Sequence, residues 1–237
     1  MNPVIYARIA GAAYLAIFVL AIGANFAVLE SVIVAGDAEA TLANIVANET
    51  AFRAAIAALF VVLFADLVVA WAFFVMFAPL APALTRLTVL FRIAYTIAHV
   101  PFVVSLVLAL HAATSEVGLM ADPAASAYGY LVVHSVGFTY TLVFFGVHLI
   151  LLGGLAMKTR GLPAIIAALV ALAGLGYLLD GFGRLLAPDL FNAMPMLSLI
   201  IVVPPALLGE GLLTLYLLIR GVDARWWRQA QPGAGEA

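Results

Sequence analysis

Long apolar runs separated by short polar breaks dominate the chain. The runs cover approximately residues 9–29, 54–78, 87–110, 127–157, 162–186 and 193–219. A helix rising 1.5 Å per residue needs about 20 apolar residues to cross a hydrocarbon layer of roughly 30 Å, so each run predicts a membrane span. Their continuity argues against barrel strands, which alternate polar and apolar positions over about ten residues. The first run exceeds the roughly 7–15 apolar residues of a cleavable secretory segment and is expected to stay as an anchor. Between the first two runs, Leu42, Ile45 and Val46 recur at helical spacing among Asp37, Glu39 and Glu49. This predicts a short amphipathic helix with Asp37 as its N-cap. The expected fold class is an all-α integral membrane protein: a bundle of six transmembrane helices with that short outer helix between spans one and two. No linker interrupts residues 1–228, which read as a single domain followed by a short tail, 229–237.

Composition narrows the function classes. Of 237 residues, 67% are apolar and 9% charged, and the mean hydropathy is +1.21. Soluble domains average roughly 45–50% apolar and about 25% charged, so a water-soluble globule, a disordered chain and a nucleic-acid binder are all excluded. The absence of cysteine removes disulfides, thiolate metal ligands and a cysteine nucleophile.

Charge position then predicts topology, because Lys and Arg are retained on the cytoplasmic side near span ends. Arg8, Arg86, Lys158, Arg160, Arg220, Arg225 and Arg228 fall at alternate ends from Glu30, Asp37, Glu39, Glu49, Glu116, Asp122 and Asp189. Both termini are therefore expected in the cytoplasm, with the bilayer itself as the main partner. Trp226 and Trp227, flanked by Arg225 and Arg228, read as an interfacial anchor.

Charges within spans are expensive, roughly 2.5–3.5 kcal/mol each on insertion scales, so each needs a partner or a wet cavity. Counting rise per residue, Asp66, Arg92 and Glu210 all fall about 9 Å above the inner boundary. They form an expected inner polar layer, to which Arg8 at the inner end of span one can add a fourth charge. One guanidinium can satisfy two carboxylates. This layer reads either as a network fixing helix register or as a proton or cation site. Pro204 and Pro205 interrupt span six just before Gly209-Glu210-Gly211, and an interrupted helix beside an intramembrane carboxylate points to a ligand site. A second, outer layer holds His99, His134, Asp180 and Arg184, with Asp180 and Arg184 spaced to pair along one helix face. Arg92, Thr96 and His99 share a face of span three, and His134, Thr141 and His148 share a face of span four.

His99, His134 and Asp180 have ligand types suited to a divalent metal, and two histidines on facing helices can ligate haem. No spacing motif supports either, and the bland alternative is a set of satisfied polar contacts in the core. Neither a Gly-x-Ser-x-Gly elbow nor a phosphate loop is present. No cofactor is predicted. Ala10-Gly11-x-x-Tyr14-Leu15 recurs as Ala173-Gly174-x-x-Tyr177-Leu178 and reads as close helix packing.

The ordered set Tyr6-Ala7-Arg8-Ile9-Ala10-Gly11, Gly36-Asp37-Ala38, Asn44-Ile45, Phe52-Arg53, Asp66 and Phe91-Arg92 carries a family resemblance. It continues through Phe144-Phe145-Gly146-Val147-His148 to Gly153, then Gly161-Leu162-Pro163, residues 173–180, Gly209-Glu210 and Gly221-Val222. The chain resembles the bacterial membrane family labelled domain of unknown function 4386 over nearly its whole length. That family's pattern often has an acidic residue three positions after the span-three arginine, where this chain has Tyr95. The resemblance implies a multi-pass helical protein of the bacterial inner membrane and supplies no reaction or catalytic residue. The expectation is a non-enzymatic bundle that binds a small ligand, ion or membrane partner. One alternative is proton- or cation-coupled transport through Asp66, Arg92 and Glu210. The other is metal or haem chemistry at His99, His134 and Asp180.

Overall fold

Each apolar run folds as a helix because a chain in hydrocarbon must satisfy every backbone N–H and C=O within itself. A computed structural model describes residues 2–114, 121–194, 196–222 and 224–229. Glu116 and the tail from residue 230 lie outside the described residues. Among the described residues six helices are long and apolar enough to cross a membrane, and no strand occurs. The first is α1 (Pro3–Ile22), continuing as a π-helical stretch (Gly23–Leu29) and α2 (Glu30–Val32). The next three are α4 (Glu49–Phe77), α5 (Pro82–Thr114) and α6 (Pro123–Thr159). The last two are α7 (Ala164–Leu186) and α9 (Leu197–Ile219), and the short helices are α3 (Ala38–Ala47), α8 (Pro188–Ala193) and α10 (Ala224–Gln229).

The sixth span begins at Leu197 rather than at residue 193, because residues 188–193 form a separate helix. Two prolines explain the break. A residue preceding proline is driven out of helical conformation, and Ala187 before Pro188 and Met194 before Pro195 both leave the α region, at φ −134° and −128°.

Burial is inverted relative to a soluble protein. Phe64, Leu90, Ile97, Ile165 and Leu179 are exposed, whereas Asp66, Arg92, His99, His134, His148, Asp180 and Glu210 are all buried. Such a surface belongs in lipid, with the polar groups turned inward, and the chain is a multi-pass membrane protein.

The helices group into two compact units: Met1–Leu15, Asp66–Thr96 and Thr139–Ala237 in the first, Ala16–Ala65 and Ile97–Phe138 in the second. In the second unit Phe52, Leu106, Val103, Leu59 and Leu63 form an apolar core. Helix α3 is locked to it more firmly than a surface connector would be. Asp37 caps it as expected, its carboxylate accepting the Ala40 N–H at 2.9 Å, and Ile45 is fully buried in that core while Val46 stays half exposed. Gly36, at φ +77°, makes the turn into α3 in a conformation that only glycine adopts freely. Its N–H donates to the Tyr128 hydroxyl at 3.1 Å.

In the first unit, glycines set the helix spacing. A Cβ on Gly146 would lie 2.7 Å from the Gly174 carbonyl oxygen, one on Gly209 2.6 Å from the Leu169 carbonyl oxygen, and one on Gly11 2.6 Å from the Leu218 nitrogen. Helices α6, α7, α9 and α1 therefore touch backbone to backbone, the association that small residues permit in membranes. Trp227 departs from the anchor expectation: it is buried and donates its indole N–H to the Met76 carbonyl at 2.8 Å.

Candidate functional site

The first unit contains one fully buried charge cluster, and its centre is Arg92. The guanidinium has no exposed surface, so each N–H must find an acceptor inside the protein. Its Nη2 pairs with the Asp66 carboxylate, its Nε donates to the Asp66 carbonyl at 3.3 Å, and its Nη1 donates to the Tyr14 hydroxyl at 2.6 Å. Nη1 also meets His148 Nε2 at 3.3 Å. The histidine tautomer follows from its other contact. Thr88 offers a carbonyl to Nδ1 at 2.8 Å, and a carbonyl only accepts, so Nδ1 carries the proton and Nε2 is left as the acceptor.

Aromatic rings complete the enclosure. The Arg92 Cζ stands 4.6 Å from the Tyr14 ring centre and 5.4 Å from that of Phe145, both within cation–π range. Phe145 in turn contacts Tyr95 at 5.0 Å, Tyr177 at 5.6 Å and His148 at 5.7 Å between ring centres. Glu210 adjoins this aromatic wall, accepting the Tyr177 hydroxyl at 2.9 Å. Among the described residues Glu210 makes no ion pair.

Thus Asp66, Arg92 and Glu210, expected at one depth, belong to one cluster. Arg8 does not join it: its side chain is exposed, and the place of a fourth charge is taken by Tyr14 and His148. The repeated Ala-Gly-x-x-Tyr pattern acquires a second meaning. Gly11 and Gly174 each admit a neighbouring helix; the tyrosine one turn later, Tyr14 or Tyr177, presents its hydroxyl to Arg92 or to Glu210. Offsets of three lie on the same helix face, so close approach and hydroxyl delivery come from one stripe.

Helix α9 is shaped around Glu210. Pro204 and Pro205 lie inside it and lack the N–H groups that would bond Ile200 and Ile201 four residues back. The Ile201 carbonyl packs against Gly176 of α7, an approach that an added Cβ would block.

The residues of the expected outer layer are distributed between the units. Asp180 and Arg184 in the first unit pair at 3.1 Å. Ser198 joins them, accepting from Arg184 Nη2 at 2.6 Å and donating to the Asp180 carboxylate. His99 and His134 meet in the second unit with ring centres 6.1 Å apart, edge to face. The His134 Nδ1 donates to the Phe102 carbonyl at 2.8 Å, which also accepts from the Ser105 hydroxyl, and its Nε2 has no hydrogen-bond partner among the described residues. Among the described residues no group of three or more His, Asp or Glu side chains is placed to hold a metal ion.

No curated protein and no solved structure matches the chain. The family profile described as Domain of unknown function (DUF4386) matches residues 9–221. That match takes in Tyr14, Asp66, Arg92, His148, Tyr177 and Glu210, and the chain belongs to this family.

Proposed function

We propose that the protein is a non-enzymatic membrane bundle that binds a proton or a small cation at Glu210, with Asp66 and Arg92 as a fixed ion pair beside it. The observation that carries this reading is a charge count: the buried cluster holds two carboxyls and one guanidinium, and Asp66 takes the guanidinium's ion-pairing position. A buried carboxylate without a counter-ion costs several kcal/mol, on the order that drives a group to bind a proton or cation instead. Tyr177 supplies one hydroxyl to Glu210, which orients the carboxyl and leaves its charge unbalanced. The Lys and Arg asymmetry along the sequence supports an orientation with both termini in the cytoplasm, and the family resemblance supports a bacterial inner-membrane location.

Infrared difference spectra of the purified protein between acid and alkaline buffer test the site. The carboxylic-acid C=O band is expected to titrate in the wild type, to vanish in Glu210→Gln and to persist in Asp66→Asn. A band unchanged by Glu210→Gln, together with no spectral response to sodium, lithium or potassium, overturns the reading.

Coupled transport is a second reading, favoured by the paired prolines in α9, which loosen the helix one to two turns from Glu210. In proteoliposomes under an imposed pH gradient, flux lost in Glu210→Gln at unchanged thermal stability supports it. Flux equal to the wild type defeats transport and leaves binding to the infrared test.

A further inference from the structure

Between α4 and α5, within the first unit, lies a groove of about 520 Å³. Leu67, Trp71 and Phe74 line it from α4, and Arg86, Leu90 and Ile93 from α5. Both triplets follow offsets of zero, four and seven, so each is a single face of its helix, and the groove runs about 10 Å along the helix axes. Residues 78–81 join the two helices. Phe74 and Arg86 therefore mark the end nearest the connection, and Leu67 and Ile93 the opposite end.

The groove is apolar along its length and cationic at one end. Leu67, Trp71, Phe74 and Leu90 are at least 43% exposed, so the groove opens its apolar wall to the surrounding lipid. Arg86 spends only its Nε, donating to the Pro82 carbonyl at 3.1 Å. The N–H groups of both terminal nitrogens have no acceptor among the described residues, and no carboxylate pairs with it. Tyr6 of α1 braces Trp71 edge-on at 5.3 Å, so the indole forms a fixed wall of the groove.

We propose that this groove is a binding site for one anionic phospholipid, its phosphate on Arg86 and an acyl chain along Phe74, Trp71, Leu90 and Leu67. The polarity of the groove matches that of the molecule. Arg86 sits one turn inside α5, at the level where a headgroup meets a span end, and a planar guanidinium with free paired donors suits a phosphate. An apolar wall ending in one exposed cation matches a phospholipid better than a helix from a second copy, which would use the wall and leave the charge without a role. This site is separate from the Glu210 reading and does not depend on it.

Trp71 serves as the reporter. The protein is placed in neutral phosphatidylcholine nanodiscs containing a small fraction of either phosphatidylglycerol or phosphatidylcholine with brominated acyl chains. Quenching at Trp71 is the difference between wild type and Trp71→Phe. Phosphatidylglycerol is expected to quench at about fivefold lower mole fraction, the factor that one cation contributes toward an anionic lipid. Arg86→Gln should equalise the two lipids, Arg86→Lys should retain a preference, and added inorganic phosphate should not compete. Equal quenching by both headgroups in the wild type, or a preference that survives Arg86→Gln, overturns the proposal. So does a Trp71 shielded from both lipids in discs whose protein mass is that of a dimer.

Discussion

Tyr177 donates its hydroxyl to Glu210 at 2.9 Å, linking α7 to α9 through a group that has no ion pair among the described residues. Removing the hydroxyl in Tyr177→Phe should destabilise the protein by about 1–3 kcal/mol, the range for a buried hydrogen bond to a carboxyl. Adding Glu210→Gln should recover part of that loss. A double-mutant cycle read by thermal unfolding in detergent measures the coupling, expected at about 1 kcal/mol and absent if the contact carries no energy.

Arg92 is the stronger test of the cluster. Arg92→Ala leaves Asp66 buried without its partner and should cost about 3–5 kcal/mol. Arg92→Lys should rescue little, because an ammonium cannot reproduce the planar fork that reaches Asp66, Tyr14 and His148 together. The joint replacement Asp66→Leu with Arg92→Met removes both charges and should unfold at a higher temperature than Arg92→Ala alone. The same unfolding series decides the order.

Helix contacts at glycine make a paired prediction. A methyl group on Gly146 would strike the Gly174 carbonyl, while nothing lies within 4 Å of one on Gly154, two turns along the same helix. Gly146→Ala should therefore lose about 1–3 kcal/mol through overpacking. Gly154→Ala should be neutral or gain up to about 1 kcal/mol from helix propensity.

The sequence already indicated the spans, because a 20-residue apolar run has few other uses. It also placed the Asp37 cap, whose carboxylate meets the Ala40 N–H, and the spacing of Asp180 and Arg184, which do pair. Rise per residue puts Asp66 and Arg92 at one depth, and the two side chains meet. Depth says nothing about direction around the helix, however. For that reason His148, which shares a face with His134 and belongs to the family-like stretch after Phe144, goes unrecognised as the acceptor for Arg92, and Arg8 is enlisted although its side chain is exposed. Tyr14 and Tyr177 were visible as a repeat. Their hydroxyl roles depend on which helix crosses at Gly11 and Gly174, information held by the neighbour rather than by the motif.

The cap on α3 is open to a local test. Asp37→Ala should cost about 1 kcal/mol, while Asp37→Asn should retain most of the bond. Amide exchange in residues 38–47 should quicken in the first variant and change little in the second.

Topology can be mapped without background labelling, since the chain contains no cysteine. Single substitutions Lys158→Cys and Arg220→Cys are expected to react only when a membrane-impermeant maleimide reaches the cytoplasmic face. Glu39→Cys should react in intact spheroplasts. The opposite pattern would invert the proposed orientation.

The π-helical stretch from Gly23 to Leu29 gives α1 a spare residue. The Glu30 N–H reaches back five residues to the Asn25 carbonyl, and Ala24 and Leu29, five apart, are both buried. In α-helical winding those two positions would be rotated by about 140° and could not both face the core. Deleting one residue between them shortens the separation to four, which ordinary winding places on a single face. The segment is thus a point where chain length is adjustable by one: a deletion of Ala27 is absorbed by rewinding, while the same deletion near Tyr14 would turn the tyrosine away from Arg92.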